Sequence, residues 1–296
     1  MIITKLGVVG CGAMGAGIVQ VSLQAGYEVA AREINDVFLQ KGLDRVRGAF
    51  EKMTSKGAIT PQQKDDALKR LTGVTEIAGL SNCDFIIEAV PEDMSLKSET
   101  FKVLDGICSP NTIFASNTSS FSVSQMAAAT SRPGRFIGLH FFNPAPVMPL
   151  VEVIKTIRTE QKVFETAFEF VRSLKKTPVA AKDNAGFIVN LLLTPFLLDA
   201  MRALQEGVAS VADIDAGMKL GCNHPMGPLM LADFIGLDVL MSGASTLFDE
   251  YKEKRYAPPP LMKRMVTMGF LGQKTGKGFY DWSDLKNPKP MELEFS

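Results

Sequence analysis

The chain has 296 residues, 46% of them hydrophobic and 22% charged, which is enough apolar material for one large or two ordinary globular domains. Lys+Arg and Asp+Glu number 32 each, so the net charge is zero; this argues against a nucleic-acid binder, where a basic excess is the rule, but leaves room for a local basic patch. No charged-then-apolar-then-small segment opens the sequence, and its most apolar long run, residues 187–198, contains Asn190 and Pro195 and is too short to span a bilayer, so a cytoplasmic protein with no membrane contact is expected.

An apolar run over residues 2–9 predicts a buried strand. Gly10-Cys11-Gly12-Ala13-Met14-Gly15 follows at once and opens a helical pattern that Gly26 ends. Residues 27–31 predict a second strand, with Glu33 just beyond it. This is the dinucleotide-binding fingerprint in its strand–turn–helix setting, with an acid about twenty residues on. Gly10 permits the tight turn, Gly12 lets the backbone approach a pyrophosphate, and Gly15 lets the helix pack closely on the strand. The helix N-terminus offers N–H groups and partial positive charge to the phosphates. A glycine turn that binds nothing is the alternative, and the setting speaks against it.

Residues 35–70 are helical in pattern and densely charged, and Gly57 and Pro61 divide them into a helical hairpin projecting from the sheet. Such a charge run is ordinarily a solvated surface; its functional reading is a cationic lip for a substrate phosphate. Residues 83–90 predict a buried parallel strand stopped by Pro91. A helix follows over 95–104, with Ser95 as its N-cap. A strand over 112–115 runs into Ser116-Asn117-Thr118-Ser119-Ser120, at the end of the sheet where open α/β folds bind ligands. A helix over 122–128, strands over 135–142 and 150–154, an amphipathic helix over 160–174 and a strand over 177–181 complete the alternation. Asp183-Asn184-Ala185-Gly186 is a polar joint, after which the pattern is helical: 187–206 with a bend expected at Pro195, 211–220 capped by Ser210, 228–251 as one helix, and 261–268. A glycine-rich loop over 272–280 follows. The predicted architecture is therefore α/β: a Rossmann-type doubly wound sheet over residues 1–184 with a helical hairpin insertion, then a smaller all-helical domain over 185–296.

The cysteines, Cys11, Cys83, Cys108 and Cys222, form no CxxC pair and are spaced too widely for a zinc knuckle, so buried free thiols in a reducing compartment and no metal site are expected. A nicotinamide cofactor accepts a hydride, but the alcohol proton must go to a protein group. The histidines are His140, at the end of an apolar strand, and His224, in a break between helices that reads as structural. Glu152 stands on the strand adjacent to His140 among Val151, Val153 and Ile154. Its carboxylate could hold the imidazole by one nitrogen, fix the tautomer and stabilise the imidazolium.

Residues 116–120, Gly138-Leu139-His140-Phe141-Phe142-Asn143-Pro144-Ala145-Pro146-Val147-Met148, Leu150-Val151-Glu152-Val153, Gly186-Phe187-Ile188-Val189-Asn190, Asn223-His224-Pro225-Met226-Gly227-Pro228 and the tail from Lys274 to Tyr280 together resemble the 3-hydroxyacyl-CoA dehydrogenase family. The resemblance covers essentially the whole chain in order and is nearest to the bacterial short-chain 3-hydroxybutyryl-CoA branch. It implies that His140 is the base in alcohol oxidation and the acid in ketone reduction, with Glu152 as its partner. It implies that Ser119 and Asn190 hydrogen-bond the substrate oxygens, which fits neutral donors stabilising an oxygen that gains charge. Because Asn190 opens the second domain, the site is expected to close between the domains. Gly10, Gly12, Ala13, Met14, Gly15, Glu33, Glu92, Lys97, Asn143 and Lys274 are implied cofactor contacts; Lys52 and Lys56 fall near the family's CoA-binding hairpin. The implied partners are an acyl-CoA substrate and a second copy of the chain, bound through the C-terminal helices.

The chain departs from the family pattern in three places. Glu33 stands where Asp is usual; both acids accept from ribose hydroxyls and repel a 2′-phosphate, so NAD is favoured, with Arg32 leaving some tolerance for NADP. Leu191 stands where Arg is typical and Pro149 where Lys is common; neither replaces a proposed catalytic group, and both put in doubt the family's local ion pairs near the domain joint and its substrate affinity. The alternatives are a dehydrogenase of a free hydroxy acid and a non-catalytic nucleotide-binding relative. The presence of His140 and Glu152 speaks against the second.

Overall fold

The computed structural model describes residues 2–292, and the chain divides between Phe187 and Ile188 into two units. Strands and helices alternate through the first: β1 (Lys5–Val9), α1 (Ala13–Gln24), β2 (Glu28–Arg32), α2 (Asp36–Ser55), α3 (Pro61–Leu68), β3 (Leu71–Val74), β4 (Phe85–Glu88), α4 (Met94–Ile107), β5 (Ile113–Ser116), α5 (Val123–Ala128), β6 (Phe136–Phe141), β7 (Leu150–Lys155), α6 (Gln161–Ser173) and β8 (Thr177–Lys182). Among the described residues these strands make one eight-stranded sheet in the order β3-β2-β1-β4-β5-β6-β7-β8. All its pairings are parallel except β6 with β7. β4, β5 and β6 are buried along their whole length, which is why their sequences are nearly continuous apolar runs rather than alternating ones. Leu6, Val8, Ile87 and Leu139 from the strands pack in one core with Ile18 and Val19 of α1 and Phe170 and Val171 of α6. This is the predicted Rossmann-type sheet. Its strand order reverses between β1 and β4, so the ligand crevice lies over the C-terminal ends of those strands.

The second unit is helical: α7 (Val189–Gln205), α8 (Val211–Gly221), α9 (Pro228–Ile235), α10 (Leu237–Tyr251) and α11 (Pro260–Thr267), followed by the short pair β9 (Tyr280–Asp281) and β10 (Lys289–Pro290). Leu197, Leu198, Met201, Leu229, Leu237 and Met262 are at its core. Two buried aspartates tie the tail to the helices. Asp215 accepts from the Leu229 and Met230 N–H groups and from the Tyr280 hydroxyl at 2.7 Å. Asp233 accepts from the Phe279 and Tyr280 N–H groups and from Trp282 Nε1, each at 2.9 Å. No single helix among the described residues is long and apolar enough to cross a membrane.

The structure corrects the sequence reading at several points. β3 was not anticipated; it is a four-residue edge strand, Leu-Thr-Gly-Val, with too little apolar content to signal itself. α4 is capped by Asp93, whose carboxylate accepts from the Leu96 N–H, and not by Ser95, which lies inside the first turn. The single helix expected over 228–251 is two, α9 and α10, bent by 96°. Gly236 between them has φ +98°, which no right-handed helix can accommodate. The tail is not only a loop but returns as the β9–β10 pair. Cys222 is exposed, unlike Cys11, Cys83 and Cys108.

Candidate active site

The Gly10–Gly15 turn joins β1 to α1. Gly10 has φ +89°, and a Cβ there would lie 2.7 Å from the Ala89 carbonyl oxygen at the end of β4. A Cβ on Gly15 would come 1.8 Å from the Gly10 carbonyl oxygen. Both glycines are therefore required by the protein's own packing. Gly12 differs: it is the N-cap of α1, no side chain caps the helix, and a Cβ there meets nothing within 4 Å. A helix N-terminus with uncapped donors and open space before it, carrying Ala13 and Met14 in its first turn, fits a pyrophosphate. Glu33, just after β2, reaches back to this turn. One of its carboxylate oxygens accepts from the Cys11 N–H at 2.7 Å and the other from the Ile34 N–H at 3.1 Å. Arg32 turns aside, its Nε donating to the Thr75 carbonyl at 3.1 Å.

His140 and Glu152 meet because β6 and β7 run antiparallel with these two residues directly opposite. His140 Nδ1 lies 2.6 Å from Glu152 Oε2. The imidazole is 5% exposed and the glutamate fully buried. Phe142 and Phe187 flank the ring, with centroids 4.5 and 5.7 Å away. With Nδ1–H assigned to the carboxylate, Nε2 becomes the basic nitrogen. The parallel neighbour β5 ends beside β6, and there Asn117 Oδ1 accepts from the Phe141 N–H at 2.9 Å, tying the two strand ends together.

Beyond β5, Thr118 and Ser119 sit over a charge cluster whose inner members, Glu88 and Lys97, are buried. Glu92 accepts from the Thr118 hydroxyl, from the Ser119 N–H at 3.0 Å and from the Ser119 hydroxyl at 3.4 Å. Lys97 Nζ is 3.1 Å from the other Glu92 oxygen and 2.7 Å from Glu88 Oε1, and it donates to the Val90 carbonyl at 3.3 Å. Lys97 is 1% exposed, which removes the surface-lysine alternative for it. Burial pushes the Glu88 carboxyl up against the pull of Lys97, Ser116 and the Val90 N–H. Burial acts the same way on Glu92, but there the Lys97 ammonium and the Thr118 and Ser119 bonds outweigh it and hold the carboxyl below the ordinary glutamate range.

The remaining predicted residues are placed as follows. Asn143 is exposed beyond β6 and precedes a cis bond to Pro144. Lys52, in the last turn of α2, and Lys56, its C-cap, are exposed. In the second unit, half-buried Asn190 is in the first turn of α7, and Lys274 pairs with Asp238 at 2.6 Å. Sequence reasoning missed Glu88 and the structural part played by Asn117. Glu88 did carry a signal: a lone carboxylate in the strand Phe-Ile-Ile-Glu must find a partner if the strand is buried.

Two family models match the chain. The model for the 3-hydroxyacyl-CoA dehydrogenase NAD binding domain matches residues 5–184, and that for the family's C-terminal domain matches residues 186–282. A 3-hydroxybutyryl-CoA dehydrogenase of Mycobacterium tuberculosis is 45% identical over 95% of this chain and 99% of its own length. One from Bradyrhizobium diazoefficiens is 42% identical over 96% and 97%. The crystal structure of (S)-3-hydroxybutyryl-CoA dehydrogenase from Ralstonia eutropha superposes with a TM-score of 0.92 at 43% identity, covering 96% of this chain and all of that one. The chain belongs to the 3-hydroxyacyl-CoA dehydrogenase family and is an NAD-dependent oxidoreductase.

Proposed function

We propose that the enzyme interconverts (S)-3-hydroxyacyl-CoA and 3-oxoacyl-CoA, with 3-hydroxybutyryl-CoA and acetoacetyl-CoA as its short-chain reactants. The observation that carries this is the buried His140–Glu152 pair at 2.6 Å, together with relatives named for that substrate. NAD, when bound, supplies the hydride acceptor for the alcohol carbon. His140 takes the hydroxyl proton at Nε2 in oxidation and returns it in reduction; Glu152 steadies the imidazolium that forms. Ser119 and Asn190 donate to the substrate oxygens, where charge builds up as the ketone is reduced.

Gly10, Gly12, Ala13, Met14 and Gly15 form the pyrophosphate turn, and Glu33 takes the adenosine ribose hydroxyls, which selects NAD over NADP. Asn143, Glu92 and Lys274 keep the cofactor-contact roles of the family. Lys97 does so through Glu92, its ammonium being enclosed by two carboxylates. The exposed Lys52 and Lys56 serve the CoA phosphates. The domain roles follow: residues 1–184 bind the cofactor, and 185–296 serve the substrate and a homodimer of the cytoplasmic enzyme. The dimer is supported by apolar side chains exposed on the second unit, among them Leu220, Phe234 and Val239.

The test is NADH oxidation with acetoacetyl-CoA, repeated with free acetoacetate, with a longer 3-oxoacyl-CoA and with NADPH. Turnover is expected with acetoacetyl-CoA and NADH. Turnover of the free acid alone, or NADH binding with no turnover of any acyl-CoA, would overturn the proposal.

A further inference from the structure

Glu88 is a fully enclosed carboxylate at the end of β4 that the chemistry described so far does not use. Its Oε1 accepts from the Val90 N–H at 2.8 Å and from Lys97 Nζ at 2.7 Å, and its Oε2 accepts from the Ser116 hydroxyl at 2.6 Å. Each bond faces a different element: Val90 the chain beyond β4, Lys97 the first turn of α4, Ser116 the end of β5. A carboxylate enclosed in this way is worth its desolvation cost only if the geometry it imposes matters or every partner is satisfied.

The bonds lead outward. Lys97 is held between Glu88 and Glu92, and Glu92 in turn holds the Thr118–Ser119 segment by the Thr118 hydroxyl and the Ser119 N–H. Each group has its partner on the inner side fixed before it reaches the next, so the position of the Thr118–Ser119 backbone is set from Glu88 outward. β4 and β5 also pair Glu88 with Ser116 directly, which puts the inner end of the path and the strand that leads to Ser119 on one rung of the sheet.

We propose that Glu88 is a positioning residue for the reaction, fixing Lys97 and through it Glu92 so that the Thr118–Ser119 backbone is held in place, where the Ser119 hydroxyl turns its proton from Glu92 to the substrate oxygen. The inference rests on the role given to Ser119 above. Glu88→Gln is the conservative perturbation. The amide keeps the size and an acceptor for the Val90 N–H, but removes the charge that anchors Lys97. Lys97 then remains paired with Glu92 alone, and the segment relaxes.

The experiment is a double-mutant cycle on kcat at saturating NADH and acetoacetyl-CoA, using the wild type, Glu88→Gln, Ser119→Ala and the double variant, with NADH affinity and thermal melting measured alongside. Glu88→Gln is expected to lower kcat roughly tenfold, the scale of a misplaced catalytic contact, and to weaken NADH binding by less than that, through Glu92. In the Ser119→Ala background it is expected to cost nothing further. A role confined to stability would lower the melting temperature in both backgrounds without this dependence on Ser119. Full additivity, or wild-type kcat in Glu88→Gln, overturns the positioning role while leaving Ser119 intact. Wild-type kcat in Ser119→Ala overturns the Ser119 assignment itself and the inference with it. If Glu88→Gln does not fold, Ser116→Ala, which removes the donor to Glu88 Oε2, takes its place in the same cycle, and the same outcomes decide.

Discussion

Alanine at Gly12 and at Gly15 should separate cofactor binding from folding within one turn. Gly12 has φ −66° and ψ −158°, ordinary extended values, and an added Cβ finds no protein atom within 4 Å. The change in stability of Gly12→Ala is therefore expected to stay within about 1 kcal/mol, the scale of a glycine or N-cap replacement at a compatible site. The space that the methyl fills is the approach to the α1 N-terminus. Losing one charge-assisted hydrogen bond from that approach costs about 1.5–3 kcal/mol, which is about tenfold to 150-fold in Kd. Gly15→Ala should behave in the opposite way. Its Cβ would sit 1.8 Å from the Gly10 carbonyl oxygen, a backbone atom that cannot rotate away, so a destabilisation of about 1–3 kcal/mol or more is expected. NADH titration by fluorescence and a thermal melt on each variant provide the comparison. A Gly12→Ala protein that binds NADH like the wild type, or that melts as early as Gly15→Ala, would refute this account of the turn.

Glu33→Ala is expected to weaken NADH binding about tenfold, as loss of a charged hydrogen-bond acceptor does, and to narrow the gap to NADPH; parallel titrations check it, and an unchanged preference counts against the ribose role. Alkylation with iodoacetamide near pH 8, followed by mass spectrometry, should modify Cys222 rapidly and spare the other cysteines. Burial pushes the Cys11 and Cys108 thiols up to about 11 and Cys83 up to about 12, so none is a thiolate there; early labelling of Cys11 would contradict its enclosure. Because the folded state holds the Glu92 carboxyl below its ordinary value, its contribution to stability is complete above the unfolded pKa of about 4.3 and is lost as pH falls through the lower folded value. Glu92→Gln should thus melt below the wild type at pH 7 and converge with it in acid; a gap that stays constant with pH would speak against this.

The first unit was legible in the sequence because its strands are buried on both faces and appear as unbroken apolar runs, and because the Gly10–Gly15 turn has a fixed geometric purpose. The His140–Glu152 pairing was legible as far as neighbouring strands. The antiparallel register that sets them opposite each other was not, since nothing local distinguishes it from a parallel one. What the sequence hid was short, edge-bound or non-local. β3 has Thr72 and Gly73 where a buried strand would have apolar residues. Gly236 breaks a helix through a backbone angle that its apolar neighbours on both sides conceal. Asp93 and Ser95 are both competent caps, and only the backbone conformation chooses between them. The Glu88–Lys97–Glu92 cluster joins β4, α4 and the segment after β5, a meeting that exists only once the sheet has formed.

In the proposed reaction His140, held by Glu152, moves the proton. The most direct test is kcat for NADH-dependent reduction of acetoacetyl-CoA by His140→Gln, measured beside its NADH affinity. A loss of about 10²–10⁴-fold in kcat is expected, the usual worth of a positioned general acid or base, with NADH binding within about twofold of the wild type. Turnover near the wild-type rate would contradict it.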